Sequence, residues 1–298
     1  MSQNREVIIS FNPRAGSGSG KPLIQELKHL LLDYGYDVQL MDSLETLATY
    51  SAEQGDRIHA IVAAGGDGTI EAVVNATQGK LPVAIFPLGT ENLLAKYLKI
   101  KAHPRRMVEI ISLGRSVQFD AGTANGNLFS IMLTCGFDAE VVRRVHAERE
   151  GNITHLAYAK PIIQSIWKYD YPDFTVEWME DGEWQEQNCH WAFVFNAPTY
   201  AAGLRIVSDA DPTDGLFEIA TFSGGSFLHG ILQFGSVVFR QQKSLPGFKL
   251  HRSDHIRIKS TRDDVAFQID GDPGGVLPVE VKVLPKHLTL LVDNDFAV

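Results

Sequence analysis

Residues 58–69 read Ile58-His59-Ala60-Ile61-Val62-Ala63-Ala64-Gly65-Gly66-Asp67-Gly68-Thr69. The stretch before Gly65 is almost continuously apolar, the pattern of a strand covered on both faces. Glycines end it, and residues 69–77 then follow a helical pattern. Strand, glycine turn and helix in that order build a parallel sheet when the unit repeats.

The unit does repeat on either side. Upstream, residues 7–11 read as a buried strand. Leu23, Ile24, Leu27, Leu30 and Leu31 then recur at helical spacing, with Gly35 as the stop. Residues 38–41 read as a second strand and 44–54 as a helix closed by Gly55. Downstream, residues 83–86 form a fourth strand and 91–98 another helix. The prediction is an α/β N-terminal domain with a parallel sheet, residues 1–115, to which a final strand within 286–298 could return. From residue 116 the pattern becomes strand-rich. Segments 117–123 and 128–133 flank Asn125-Gly126, the strongest short hairpin signal. Strands are also read at 174–179, 190–196, 216–222, 255–260, 265–269 and 279–283, with one helix at 153–167. Residues 116–285 are therefore predicted to form an antiparallel, β-sandwich-like C-terminal domain.

Length supports two domains: 298 residues, 44% apolar. A formal charge of −9 excludes a general nucleic-acid binder, which needs a basic face. Cys135 and Cys189 stand far apart in apolar stretches and read as buried free thiols. The first residues are polar, and no stretch approaches the ~20 apolar residues of a membrane span. A cytoplasmic protein is expected, peripheral at the inner membrane surface if its substrate lies there. The basic run Lys96, Lys99, Lys101, Arg105 and Arg106, extended by Arg143, Arg144 and Arg149, is read as a solvated helix face or a docking patch for anionic lipid. His103, His146 and His155 show no metal-ligand spacing and are read as surface or core residues.

Three turns follow strands and open helices, so they share one edge of a parallel sheet. The first, Asn12-Pro13-Arg14-Ala15-Gly16-Ser17-Gly18-Ser19-Gly20, is small enough for a close approach to an anion. In the second, Gly65-Gly66-Asp67-Gly68-Thr69, glycines allow backbone angles closed to other residues. Asp67 there could act through magnesium, bind a nucleotide hydroxyl or cap its helix. In the third, Pro87-Leu88-Gly89-Thr90-Glu91-Asn92, Thr90 could cap a helix or donate to a phosphate.

These turns, in this order, resemble the diacylglycerol kinase catalytic superfamily, which includes bacterial lipid kinases, sphingosine kinases and ceramide kinases. The resemblance continues in Tyr200-Ala201-Ala202-Gly203-Leu204-Arg205, Asp214-Gly215-Leu216, Gln268-Ile269-Asp270-Gly271-Asp272 and Leu284-Pro285. It implies ATP across Asn12, Gly16, Gly65, Gly66, Asp67, Gly68, Thr69, Gly89, Thr90 and Asn92. It further implies Mg2+, a lipid substrate at the membrane surface, and a general base at Asp272 or Asp270 brought to a cleft between the domains. Asp214, with backbone oxygens near Asp211 and Leu216, matches a metal site of the family. Leu93, Lys96 and Asp272 depart from the family pattern, where Asp, Arg and Glu are usual.

The implied activity is ATP-dependent phosphorylation of a lipid hydroxyl, diacylglycerol-like or sphingoid. A kinase for a soluble substrate such as NAD shares the Gly-Gly-Asp-Gly core, and a non-catalytic nucleotide- or lipid-sensing module is a third reading. Oligomeric state is left open, a homodimer included.

Overall fold

A computed structural model describes residues 5–12, 20–147 and 169–296. The chain divides into two compact units: Met1–Phe119 with Lys286–Val298, and Asp120–Pro285.

In the first unit, strands β1 (Glu6–Phe11), β2 (Asp37–Met41), β3 (Ile58–Gly65) and β4 (Val83–Pro87) pair in parallel, in the order β2-β1-β3-β4. Helices α1 (Gly20–Asp33), α2 (Leu44–Gln54), α3 (Asp67–Thr77), α4 (Leu93–Tyr97) and α5 (Pro104–Leu113) complete it. Val7, Ile8, Ile9, Ile61 and Val62 are fully buried, as their unbroken apolar runs require. Ile24, Leu27 and Leu31 form the buried stripe of α1, which packs on α5. The end of the chain returns to this unit: Leu290 pairs in parallel with Val83 of β4.

In the second unit, one antiparallel sheet runs β12-β11-β10-β7-β14-β15. Its strands are β7 (Met132–Gly136), β10 (Trp191–Phe195), β11 (Phe217–Phe222), β12 (Phe248–Ser253), β14 (Ala266–Ile269) and β15 (Asp272–Val276). A second layer pairs β8 (Phe174–Glu180) with β9 (Glu183–Cys189), and β13 (His255–Lys259) with both β8 and the first half of β16 (Val279–Leu291). The two layers share one core. Leu133, Phe217, Ile219 and Phe267 come from the first, and Val176, Trp178, Ile256, Ile258 and Val281 from the second. β5 (Ser116–Ala124) and β6 (Asn127–Phe129) form the hairpin expected at Asn125-Gly126. Both turn residues are left-handed, with φ of 49° and 91°. Cys135 and Cys189 are buried free thiols, and burial pushes both pKa values up.

Several elements differ from the sequence reading. The helix expected at 91–98 shortens to α4. The strand expected at 128–133 breaks into β6 and β7, because a carboxylate from elsewhere draws away the amides between them, as described below. Three helices were not anticipated: α5, α6 (Phe137–Ala147) and α7 (Phe227–Val238). The helix expected at 153–167 lies outside the described residues, as do Gly16 and residues 13–19 of the first turn. No helix among the described residues is long and apolar enough to cross a membrane.

Candidate active site

In the first unit, Phe11 pairs with Ala64 and Gly65 with Pro87, so β1, β3 and β4 end on one edge. Asn12, the Gly65–Thr69 turn and the Leu88–Asn92 turn follow those ends. The second and third turns touch. The amide of Leu88 donates to the Gly65 carbonyl at 2.8 Å, and a Cβ on Gly89 would stand 2.4 Å from the Gly66 Cα. A Cβ on Gly65 would stand 2.1 Å from Thr69 Oγ1. Gly65, Gly66, Gly68 and Gly89 all lie outside the left-handed region. Gly65, Gly66 and Gly89 are therefore required for close approach, and the expectation of special backbone angles in the second turn is corrected.

Asn92, itself at φ 51°, braces the third turn. Its Oδ1 accepts from the Gly89 amide at 3.0 Å and its Nδ2 donates to the Gly89 carbonyl at 2.7 Å. Asp67 does not cap α3, whose N-cap is Gly66. Its carboxylate crosses to α4 and accepts from the amides of Leu93 (3.0 Å) and Leu94 (3.3 Å). Burial raises its pKa, while those two amides pull the other way. The carboxylate thereby joins the two glycine turns. Thr90 is exposed beside them.

In the second unit, Asp270-Gly271 forms the turn between β14 and β15, with φ of 47° and 95°. Ile269 pairs with Asp272 across it. Two acids flanking a glycine on an extended strand would share a face; this turn separates them. Asp270 points inward, and its carboxylate accepts from the amides of Ser130 (2.8 Å), Ile131 (2.9 Å) and Met132 (2.8 Å) and from Ser130 Oγ (3.1 Å). These are the amides that leave the strand ladder between β6 and β7. Burial pushes the Asp270 pKa up to about 6 against the pull of the four donors. Asp272 is 44% exposed at its side chain, and its Oδ1 lies 2.8 Å from Nε2 of His146 on the last turn of α6.

A buried network supports the same turn. Gln268 accepts from the Gly271 amide at 2.7 Å and donates to Thr134 Oγ1 at 3.0 Å. Thr134 in turn donates to Asp138 at 2.6 Å, and the Tyr200 hydroxyl donates to the same carboxylate. Burial raises the Asp138 pKa. His146, Asp138 and Gln268 were not singled out for the site by sequence reasoning. Tyr200 and Gln268 carried a signal, through their places in family-like motifs.

The metal site implied by resemblance meets a different arrangement. Asp214 accepts from the Leu216 amide at 2.9 Å and is paired with the Arg252 guanidinium. Arg252 also reaches Glu218 at 2.8 Å. Asp211 accepts from Thr213 through both amide (3.0 Å) and hydroxyl (2.7 Å). Thus the Asp214 side chain already faces an internal cation. Among the described residues no cluster of three His, Cys, Asp or Glu groups could hold a metal ion. Within the basic run, Lys96 pairs with Glu91, Arg106 with Glu109 and Asp293, and Arg143 and Arg144 with Glu140.

A parallel-sheet unit with abutting glycine turns, joined to an antiparallel β unit that presents a hairpin-borne acid, defines a kinase of the diacylglycerol and NAD kinase fold. The chain matches the diacylglycerol kinase catalytic domain over residues 6–124 and the YegS C-terminal NAD kinase beta sandwich-like domain over residues 131–292. It belongs to the diacylglycerol kinase catalytic family. A diacylglycerol kinase of Staphylococcus aureus is 23% identical over 298 residues, covering 96% of this chain and 92% of the relative. The crystal structure of a diacylglycerol kinase from Bacillus anthracis superposes with a TM-score of 0.74 at 19% identity, covering 99% of both chains. An NAD kinase from Archaeoglobus fulgidus, solved with ATP, gives 0.54 at 15% identity over 97% of this chain and 94% of that one.

Proposed function

We propose that this chain transfers the γ-phosphoryl group of ATP to the hydroxyl of a lipid of the diacylglycerol or sphingoid class. The observation that carries the reading is the division of labour between the two late acids. Asp270 spends its oxygens on four donors, whereas Asp272 stands half-exposed beside an imidazole. Asp272 is the group placed to take a proton from an acceptor hydroxyl, and Asp270 holds the turn that carries it.

On this reading the triphosphate lies along the turns at Asn12, Gly16, Gly65–Thr69 and Gly89–Asn92. Their missing Cβ atoms let phosphate oxygens approach the backbone. Asp67 acts as a positioning residue that keeps the two glycine turns in register. Magnesium bound with the nucleotide would supply positive charge against the phosphate oxygens. Positioning and charge neutralisation supply most of the catalysis in such transfers, and a base removes the hydroxyl proton as the bond to phosphorus forms.

The test is turnover of radiolabelled ATP with diacylglycerol, sphingosine or NAD as acceptor. Label in a lipid product supports the proposal. Label in NAD alone would move the chain to the soluble-substrate branch, and nucleotide binding without transfer to any of them would leave a sensing module.

A further inference from the structure

Helix α7 (Phe227–Val238) is inverted in polarity. Its inward side carries Gly230, Gln233, Ser236 and Val237. Gly230 lies so close to Tyr171 that a Cβ would stand 2.0 Å from the phenol oxygen. The Gln233 amide nitrogen donates to the Ser223 carbonyl at 3.4 Å, its Oε1 is buried with no partner, and Ser236 Oγ donates to the Gln233 carbonyl at 2.7 Å. The outward side carries Leu228 (68% exposed), Ile231 (44%), Leu232 (60%) and Val238 (43%), continued by Phe239 (75%). Residues 228, 231, 232 and 239 follow the i, i+3, i+4 rule of a single stripe. An isolated exposed leucine needs no explanation, but an apolar stripe outward, opposite a buried amide and a buried hydroxyl, does.

No charged residue occurs between Ser226 and Phe239, and the first charges after it are the exposed basic Arg240 and Lys243. Lys243 reaches Asp209 only at 3.9 Å. A face of this kind suits the boundary between acyl chains and anionic headgroups, where an apolar helix face sinks by ~5–10 Å and basic neighbours meet the surface. Area argues against a second copy of the chain. Twelve residues at about 1.5 Å each and a helix about 10 Å wide give a footprint on the order of 200 Å², well below the ~800 Å² per partner of a stable association.

We infer that the outward face of α7 is a bilayer-docking surface, with Leu228, Ile231, Leu232 and Phe239 entering the acyl boundary and Arg240 and Lys243 meeting anionic headgroups. This rests on the lipid-kinase reading only for its purpose, since it brings the chain to the phase that holds the acceptor. The basic run at residues 96–106, in which Lys96 and Arg106 are paired with acids, is not needed for it.

The experiment is cosedimentation of the full chain with vesicles of phosphatidylcholine alone or mixed with phosphatidylglycerol, both free of diacylglycerol. The wild type is expected to bind the mixed vesicles. Leu228→Gln with Leu232→Gln should weaken that binding about tenfold or more, with melting temperature and turnover of a dispersed short-chain acceptor unchanged. Arg240→Gln with Lys243→Gln should lose the preference for the mixed vesicles and its salt dependence. Equal binding by the leucine variant, or no wild-type binding to either vesicle, overturns the inference. So does a concentration-dependent dimer in sedimentation velocity that the leucine variant dissolves. Vesicle binding without turnover of any lipid would overturn the kinase reading and leave the docking surface standing.

Discussion

Nε2 of His146, on the last turn of α6, stands 2.8 Å from Oδ1 of Asp272, the first residue of β15. An imidazole there orients the carboxylate and offers a path for the proton it takes. Asp272→Asn should lower kcat by roughly 100-fold or more with the KM for ATP little changed, and Asp272→Glu should retain activity. His146→Gln should cost about tenfold in kcat and change the shape of the kcat–pH profile. Both are read with one verified lipid at saturating ATP. Full activity in the Asn variant, or an unaltered profile in the Gln variant, would remove these roles.

The contact between the two glycine turns leaves no room for a methyl group at position 89. Gly89→Ala should push the turns apart at a cost of about 1–3 kcal/mol, and weaken ATP binding by about tenfold or more. Isothermal titration with a non-hydrolysable ATP analogue checks it. Undiminished affinity would mean that the phosphates lie elsewhere.

Asp214 is matched by a guanidinium inside the chain. Asp214→Ala should therefore lower the melting temperature by roughly 2–4 °C, the effect of about 1 kcal/mol in a unit of this size. The loss should be the same in magnesium and in chelator. A loss seen only when magnesium is present would return the site to a metal.

Asp270 carries a pH dependence of defined sign. Its native pKa of about 6 exceeds the unfolded value of 3.8, so between these values the native state holds more protons. Stability should fall as pH rises from about 4 to about 6 and level off above, by on the order of 2 kcal/mol. Asp270→Asn should abolish that part of the slope. The variant should also be less stable throughout, because its amide nitrogen would confront amide donors. Urea unfolding of both proteins at a series of pH values measures this; parallel curves would show that Asp270 does not titrate in the window.

Local signals in the sequence carried far. Continuous apolar runs marked β1, β3 and β4 because a doubly covered strand must bury both faces, and Asn125-Gly126 announced its hairpin because few residues tolerate two left-handed positions in succession. The order of glycine turns was enough to reach the family. What remained hidden depends on contacts between distant segments. Asp67 caps a helix 26 residues onward, and Asp270 draws in the amides of Ser130, Ile131 and Met132 from up to 140 residues away. No spacing rule links such pairs, and only the packed chain could assign one acid to anchoring and the other to the surface. Gly66 read in sequence as permitting a special backbone angle and proved to be steric, a distinction that exists only once two turns meet. The inverted helix α7 is the plainest case. Its composition is that of a core segment, and which side of a helix meets water is decided by what packs against it.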